Sequence, residues 1–504
     1  MSPATMKEAM MNRLLALVML AAALLLTAAA HAAAPGIKGT TFNLTAQPAY
    51  ISQPDGQAVY SWGYGCTGGT PGSATFAPPA SLMPGATCPT MQVPGPTLIV
   101  TQGATVTVNL TNNLPTAAGN TSILFPGFQV TTTSGVVGLL THEAAPGGTV
   151  TYTFTASSPG THAYYSGTQG DLQVEMGLYG AIIVLPASVP AACTAGLHAS
   201  NLTAEAHWHE SDFRLAAAAY SHARTCYDRE YLFQFSEMDP NIHSQALAQV
   251  TARGNCTAGA VGCSLEVATE PYHPAYFMIN GRSMPDDMDT NYAFQYPHQP
   301  YNGNHVRILG RDGNLILSAT DPNSLAGPLL FTTTTTPGLA FDGIFYWTGR
   351  GLNWDAYGHN PASPDPNAKL ACTPDANGYN TGAPTAINFW EWCQDHNKPL
   401  QAKPFGDVAG GGPVTLPDPN LFTNGAWFGG SPYLGPNATV RATGPTGTTP
   451  PSGTIANPPT SEAGFAFMWH SHNEREITTN NIFPGGMLMM MLVDSREFVI
   501  DESN

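Results

Sequence analysis

The sequence predicts an all-β protein built from β-sandwich domains, on the basis of three observations. Apolar and polar residues alternate in short segments such as TVTVNL and TVTYTFT, which is typical of strands that bury one face. Turn-forming residues separate these segments, with 52 glycines and 44 prolines among 504 residues. Charged residues make up only 10% of the chain while threonine is frequent, and this balance favours strands over helices.

The first 34 residues are expected to be a signal peptide that is absent from the folded protein. Lys7 and Arg13 precede the apolar run LLALVMLAAALLLTAAA, and the small-residue cleavage motif AHA follows it. A membrane anchor is the alternative, but the apolar run is slightly short for a membrane span. We therefore expect a periplasmic or secreted protein that leaves the membrane once the signal peptide is removed.

A first domain is expected at residues 36–190. The segments TLIV and TVTVNL predict two strands that meet at a turn containing Gly103. Residues 146–156, PGGTVTYTFTA, alternate again, and MGLYGAIIVLP predicts a buried strand that ends at Pro186. Short strands at this spacing, separated by Gly and Pro, are typical of a sandwich or a barrel.

A second domain is expected at residues 195–504, with a long loop-rich insertion at about 351–463. Its predicted strands include REYLFQFSEMD, AYFMINGRSMP, NHVRILGRDGNLIL and FDGIFYW. The insertion is rich in Pro, Gly, Asn and Thr and has weak periodicity. Strands return in GFAFMWHSH and GMLMMMLVD, where flexible methionine side chains favour core packing over a copper(I) site.

Charge and cysteine content narrow the functional classes. A formal net charge of −17 argues against binding to nucleic acid or to anionic membranes. The eight cysteines form an even set, which suggests disulfides in an exported chain. Pairing between neighbours is the simplest of 105 connectivities, and it would join Cys66–Cys88, Cys193–Cys226, Cys256–Cys263 and Cys372–Cys393.

The order of these segments resembles the multicopper oxidases. PGPTLIVTQGATVTVNLTNNLP is similar to that family's opening strands, and APGGTVTYTFTASSPGTHAYYSGT to the end of its first domain. MWHSHNEREITTNNIFPGGMLMMM is similar to the copper-binding strands of its last domain. The resemblance implies tandem cupredoxin-like Greek-key sandwiches and a copper-dependent oxidoreductase. It also implies four His-x-His pairs around three coppers, and a blue copper held by Cys, two His and usually Met.

Matched to that pattern, three of the four histidine pairs are replaced in this chain. The match at the third pair assumes an alignment without a gap, and a deletion before Gly303 is the alternative. Three coppers cannot be held by one remaining pair, so we do not expect four-electron reduction of oxygen. The replacing residues are Leu124 and Pro126, Tyr165 and Gly167, and Pro300 and Asn302.

The fourth pair survives as His470 and His472, but the residue between them is Ser471 and not the blue-copper cysteine. A hydroxyl cannot supply the soft copper–sulfur bond of a blue copper site. Glu476 stands where the resemblance implies a further histidine. Met487 or Met489 matches the axial methionine.

The residues therefore predict at most a reduced metal site. We expect one copper ion at His305, His470 and His472, with Glu476 and Met487 as further candidate ligands. Zn fits an imidazole face with a water, and Mn becomes reasonable if carboxylates join. Two alternatives stay open: a non-catalytic scaffold or binding module that has lost its metals, and an oxidase completed by a partner chain or a homo-oligomer.

Overall fold

The computed structural model describes residues 34–77, 79–80, 86–193, 218–227, 230–284, 306–330, 332–344 and 465–493. These residues form twenty strands and two α-helices, together with short 3-10 turns. The helices are α1 (Gly170–Glu175) and α2 (Pro240–Arg253). The strands are β1 (Gly36–Lys38), β2 (Thr41–Ser52), β3 (Ala58–Cys66), β4 (Thr75–Ala77), β5 (Leu98–Thr101), β6 (Thr105–Asn112), β7 (Val130–Ser134), β8 (Val136–Val137), β9 (His142–Glu143), β10 (Thr149–Thr155), β11 (Gly160–Tyr165), β12 (Tyr179–Leu185), β13 (Phe235–Met238), β14 (Tyr276–Ile279), β15 (Val306–Arg311), β16 (Asn314–Leu315), β17 (Leu329–Leu330), β18 (Phe341–Ile344), β19 (Phe465–His470) and β20 (Leu488–Val493).

Two five-stranded sheets make the first β-sandwich, which confirms the all-β prediction. One sheet has the order β11-β12-β5-β1-β4 and the other β3-β2-β6-β10-β7. The predicted alternation in TVTVNL places Val106, Val108 and Leu110 in the core, while Thr107 and Asn109 face outward. The same alternation in β10 buries its apolar residues opposite those of β6.

Aromatic side chains fill the space between the two sheets. Trp62, Tyr64, Tyr152 and Tyr164 are fully buried, and Phe125 packs among them. The buried tyrosines keep their hydrogen bonds, since Tyr64 Oη donates to Ser122 O at 2.6 Å and Tyr164 Oη to a neighbouring carbonyl. Burial of each large side chain contributes about 1.5–3 kcal/mol, so this core dominates the stability of the sandwich.

The later strands predicted from the sequence are also present. β13 pairs with β14, β15 pairs with β16, β17 and β18, and β19 pairs with β20. The boundaries 36–190 and 195–504 remain predictions, and the insertion at 351–463 lies outside the described residues.

Helix α2 was not predicted. The Asp239 Oδ1 atom accepts a hydrogen bond from Asn241 N at 2.9 Å, and Pro240 occupies the first turn, where its missing N–H costs nothing. Gly254 ends the helix at a φ of 50°. Ile242 and Ala246 on this helix join the core of the first sandwich.

A carboxylate joins β18 to β11, an edge strand of the first sandwich. Asp342 accepts hydrogen bonds from Thr161 N at 3.1 Å, from Thr161 Oγ1 at 2.6 Å and from Tyr220 Oη at 2.5 Å. Burial, followed by the nearby Asp342 charge, raises the pKa of Tyr220. Asp342 therefore provides an acceptor for an edge-strand N–H that would otherwise lack one. We call these three hydrogen bonds the Asp342 clamp.

Three of the four predicted disulfides are present, namely Cys66–Cys88, Cys193–Cys226 and Cys256–Cys263. The fourth predicted pair, Cys372–Cys393, lies outside the described residues. Within the described part of the chain, no helix has both the length and the apolar character that a membrane span requires.

Candidate functional site

Four of the five predicted metal ligands, His470, His472, Glu476 and Met487, lie in or at the ends of the segment between two paired strands. β19 ends at His470, which is opposite Leu488 of β20. Ser471 N donates to Met487 O at 3.1 Å, so the pairing closes the base of the loop. Asn473 caps a 3-10 turn at Glu474–Ile477, because its Oδ1 accepts from Arg475 N at 3.2 Å.

His470 and His472 lie side by side at the start of this loop. Both side chains are exposed, and their ring centroids are 5.0 Å apart with an angle of 25° between the ring planes. The Nδ1 atom of His470 is 2.7 Å from Ser471 O, so a neutral ring that donates there presents Nε2 as a lone pair. The structure thus brings the two surviving imidazoles together at the surface.

The Glu476 carboxylate is engaged by its own loop. Its Oε2 accepts from Ser471 Oγ at 2.5 Å, and its Oε1 accepts from Asn473 Nδ2 at 2.7 Å. Asn473 N also donates to Ser471 Oγ at 3.0 Å, which closes a ring of three hydrogen-bonded residues. Burial, followed by the nearby Glu476 charge, raises the pKa of Glu237. The carboxyl group of Glu237 therefore lies close to the Glu476 carboxylate.

Met487 and Met489 point into an apolar cluster. They are 5% and 3% exposed and lie in one buried cluster with Phe277 and Ile279, against which Trp469 packs. The burial of these two methionines agrees with the expectation of core packing.

The positions predicted to replace the first two histidine pairs are neighbours in space. Leu124 N donates to Tyr165 O at 2.7 Å, and Tyr165 N donates back to Leu124 O at 3.3 Å. A Cβ atom added at Gly167 would lie 2.7 Å from Leu124 Cγ, so the leucine side chain occupies the space beside that glycine. The sequence assigns these positions to two separate segments and carries no signal that they touch.

Two other histidines near these positions each contact a backbone carbonyl. His142 Nδ1 is 3.0 Å from Ser134 O. His162 is 1% exposed, its Nε2 lies 3.1 Å from Ser158 O, and its ring packs on Phe128 with centroids 4.5 Å apart. Burial lowers the pKa of His162, which favours the neutral ring.

The remaining candidates lie outside the described residues: His305, Pro300 and Asn302. Among the residues that are described, no group of three or more His, Cys, Asp or Glu side chains is arranged to hold a metal ion. The described part of the predicted site is therefore a pair of imidazoles next to a carboxylate with two hydrogen-bonding partners.

Comparison with known proteins finds a family match within the first sandwich. Residues 86–188 match the family described as multicopper oxidase. An L-ascorbate oxidase from Brassica rapa subsp. pekinensis is 38% identical over 96 residues, which are 18% of this chain and 16% of that protein. Laccase abr2 from Aspergillus fumigatus is 36% identical over 98 residues, which are 19% of this chain and 16% of the laccase. The matched stretch thus spans less than a fifth of either relative.

Solved structures resemble a larger part of the chain at lower identity. A blue copper oxidase from Nitrosomonas europaea covers 60% of this chain, which spans 74% of that structure, with 18% identity and a TM-score of 0.34. A multi-copper oxidase from Pseudomonas thermotolerans covers 63% of this chain and is itself covered over 60%, with 15% identity and a TM-score of 0.35.

Proposed function

Because the chain is a multicopper oxidase family member whose matched domain is residues 86–188, we propose that it is an exported copper-binding protein with a single ion at His470 and His472. Copper is the cofactor that the family implies. When bound, it would supply one-electron exchange. Oxygen reduction by four electrons is not part of the proposal, since Leu124 and Tyr165 stand in place of cluster ligands.

The observation that carries this proposal is the exposed imidazole pair. Imidazole nitrogen suits Cu(II), and two rings with centroids 5.0 Å apart on exposed side chains can reorient toward one ion. The present near-parallel stacking does not aim both nitrogens at one point, so binding requires at least one ring to rotate. His305 is the proposed third ligand, and Zn remains the alternative metal at an all-imidazole site.

The other predicted ligands fit a metal poorly. Both Glu476 oxygens accept hydrogen bonds inside the loop, and Met487 is buried among apolar side chains. Ser471 offers a hydroxyl in place of a thiolate, and that hydroxyl already donates to Glu476. Manganese, which would need the Glu476 carboxylate, is therefore the least favoured ion.

A second candidate function is a non-catalytic cupredoxin scaffold or binding module that holds no metal. The closed Ser471–Asn473–Glu476 network favours it, because the loop keeps its shape without an ion. An oxidase that a partner chain or a homo-oligomer completes is a third proposal, separate from the single-ion site.

Export is supported by two features of the chain. Three disulfides suit an oxidising compartment such as the periplasm or the extracellular space. The proposed signal peptide, residues 1–34, has the charge and apolar pattern of a secretory leader. Comparison of the N-terminal residue of the exported protein with the proposed cleavage motif would test this step.

Copper content of the purified mature protein tests the proposed site. After equilibration with copper and gel filtration, we expect one ion per chain, and we expect a variant with His470→Ala and His472→Ala to lose it. His222→Ala is the matched control, because its ring lies in another segment of the chain, where Nε2 is 3.3 Å from Pro322 O and Nδ1 accepts a hydrogen bond from Arg224 N at 3.1 Å. Full copper retention in the double variant would refute the proposed site, and absence of copper from the unaltered protein would favour the scaffold.

A further inference from the structure

We infer that the residues replacing the lost copper ligands work as complementary pairs, which hold the former metal regions closed without any ion. The two pairs are Ser471–Glu476 and Leu124–Gly167. The inference rests on these contacts and on the sequence resemblance to the multicopper oxidases, which the family match covers at Leu124 and Gly167 but not at Ser471 and Glu476. It does not depend on whether His470 and His472 bind copper. The chain thus conserves the positions of two metal centres as structural contacts.

The first pair replaces ligation by a hydrogen bond. In the resemblance, positions 471 and 476 supply a thiolate and an imidazole to one copper, which joins the end of β19 to the following turn. Here the Ser471 hydroxyl donates to the Glu476 carboxylate at 2.5 Å, so the same two positions are joined directly. Hydrogen bonds to an ionised acceptor are among the strongest in proteins, and Asn473 adds a second one at 2.7 Å.

The backbone around this pair is held by the same turn. Glu476 O accepts from Met487 N at 2.7 Å, and Ser471 N donates to Met487 O at 3.1 Å. Residues 471, 476 and 487 therefore stay together through four hydrogen bonds that involve no metal, counting those from the Ser471 and Asn473 side chains. Met487 faces the apolar cluster with Phe277, which anchors the far side of the loop.

In the second pair, a leucine at 124 and a glycine at 167 stand where the resemblance implies two histidines. Leu124 and Tyr165 are bridge partners, which brings position 167 beside position 124. The Leu124 Cγ, Cδ2 and Cδ1 atoms would lie 2.7, 2.9 and 3.0 Å from a Cβ at Gly167, closer than ordinary packing allows. A glycine at 167 is thus matched to a leucine at 124, because the leucine occupies the space that a side chain there would need.

Complementary replacement means that single reversions should fail. Ser471→Cys would leave Glu476 in place of an imidazole and would remove its hydroxyl donor. Gly167→His would force an imidazole against Leu124. Neither change alone rebuilds a metal site, because its partner has been altered to fit the replacement.

Thermal unfolding of chelator-treated, metal-free protein tests the inference by two mutant cycles. Ser471→Ala and Glu476→Gln should each lower Tm by about 3 °C or more, and the double variant should lose clearly less than the sum. Gly167→Ala and Leu124→Ala should likewise be non-additive, since the smaller residue at 124 relieves the contact with a new Cβ. Variants that combine one change from each pair should be additive and serve as the control.

Three outcomes would overturn the inference. Additive losses within both pairs would show that the partners do not act together. A Tm increase on adding copper that Ser471→Ala abolishes would make Ser471 a ligand. An intense thiolate-to-copper absorption in Ser471→Cys would show that the blue copper site was never closed. Ser471→Thr keeps the hydroxyl and should therefore retain the Tm of the unaltered protein. It is the control that distinguishes loss of the hydrogen bond from a general failure to fold after substitution at this position. The histidine variants should leave both cycles unchanged, so failure of the copper proposal and failure of this inference give different results.

Discussion

Replacement of Met487 separates a packing role from a ligand role. Met487→Leu keeps the apolar volume but removes the thioether sulfur, whereas Met487→Ala removes most of the side chain. At 5% exposure in a cluster with Phe277 and Ile279, Met487 contributes mainly by packing. Truncation of buried Met to Ala costs about 2–5 kcal/mol, and a volume-conserving exchange to Leu usually costs less than about 1.5 kcal/mol.

We therefore expect Met487→Ala to lower the free energy of unfolding by about 3 kcal/mol, and Met487→Leu to lower it by about 1 kcal/mol or less. Copper content should be unchanged in Met487→Leu. Urea unfolding followed by tryptophan fluorescence gives the free energy, and metal analysis after gel filtration gives the copper content. Met489→Leu is the matched control, because Met489 is 3% exposed in the same cluster.

The packing argument for Met487 fails if Met487→Leu loses copper while its unfolding free energy stays near that of the unaltered protein. Such a result would identify the sulfur as a ligand. A small loss of stability in Met487→Ala, below about 1 kcal/mol, would equally contradict burial in a close-packed cluster.

Three further predictions concern the scaffold that carries the site. Asp342→Ala should lower the free energy of unfolding by about 3 kcal/mol in urea titration, since it leaves the Thr161 N–H and a buried tyrosine hydroxyl without an acceptor. An effect as small as that of an ordinary surface substitution would contradict the clamp. Burial raises the pKa of Glu230 to about 7, so its neutral carboxyl favours folding below about pH 4.5, and that contribution is lost as pH rises through 7. The urea concentration at the unfolding midpoint should thus decrease as the pH is raised from 5 to 8 in the unaltered protein, and it should decrease less in Glu230→Gln. Parallel pH profiles of the two proteins would refute this role of Glu230. Replacing Cys66 and Cys88 by Ala removes a disulfide that joins residues 22 positions apart in the chain. Because the unfolded chain is then less constrained, the free energy of unfolding, measured without reductant, should fall by about 3 kcal/mol. An unchanged urea midpoint would contradict this stabilisation by the disulfide.

The strands of the first sandwich could be predicted because their signal is local. Alternation in TVTVNL and TVTYTFT assigns Val106, Val108 and Val150 to one face, and the structure buries all three. Helix α2 also had a local signal, with Asp239 and Pro240 at its start, but an Asp-Pro pair is equally typical of a turn.

The candidate site was predictable only in part, because its contacts join positions that are distant in the chain or change role in the fold. His470 and His472 could be singled out from their spacing alone. The function of Glu476 depends on the direction of its carboxylate, which Ser471 and Asn473 determine. The fit of Leu124 against its glycine partner depends on a bridge between two strands and has no signature in either segment.

Copper titration of the mature protein, followed by visible absorption and metal analysis, tests the central claim most directly. The claim is that the exposed imidazole pair of His470 and His472 binds a single copper ion. We predict one copper ion per chain and only weak absorption of the imidazole–Cu(II) kind. A deep blue protein, or one that binds four copper ions, would contradict it.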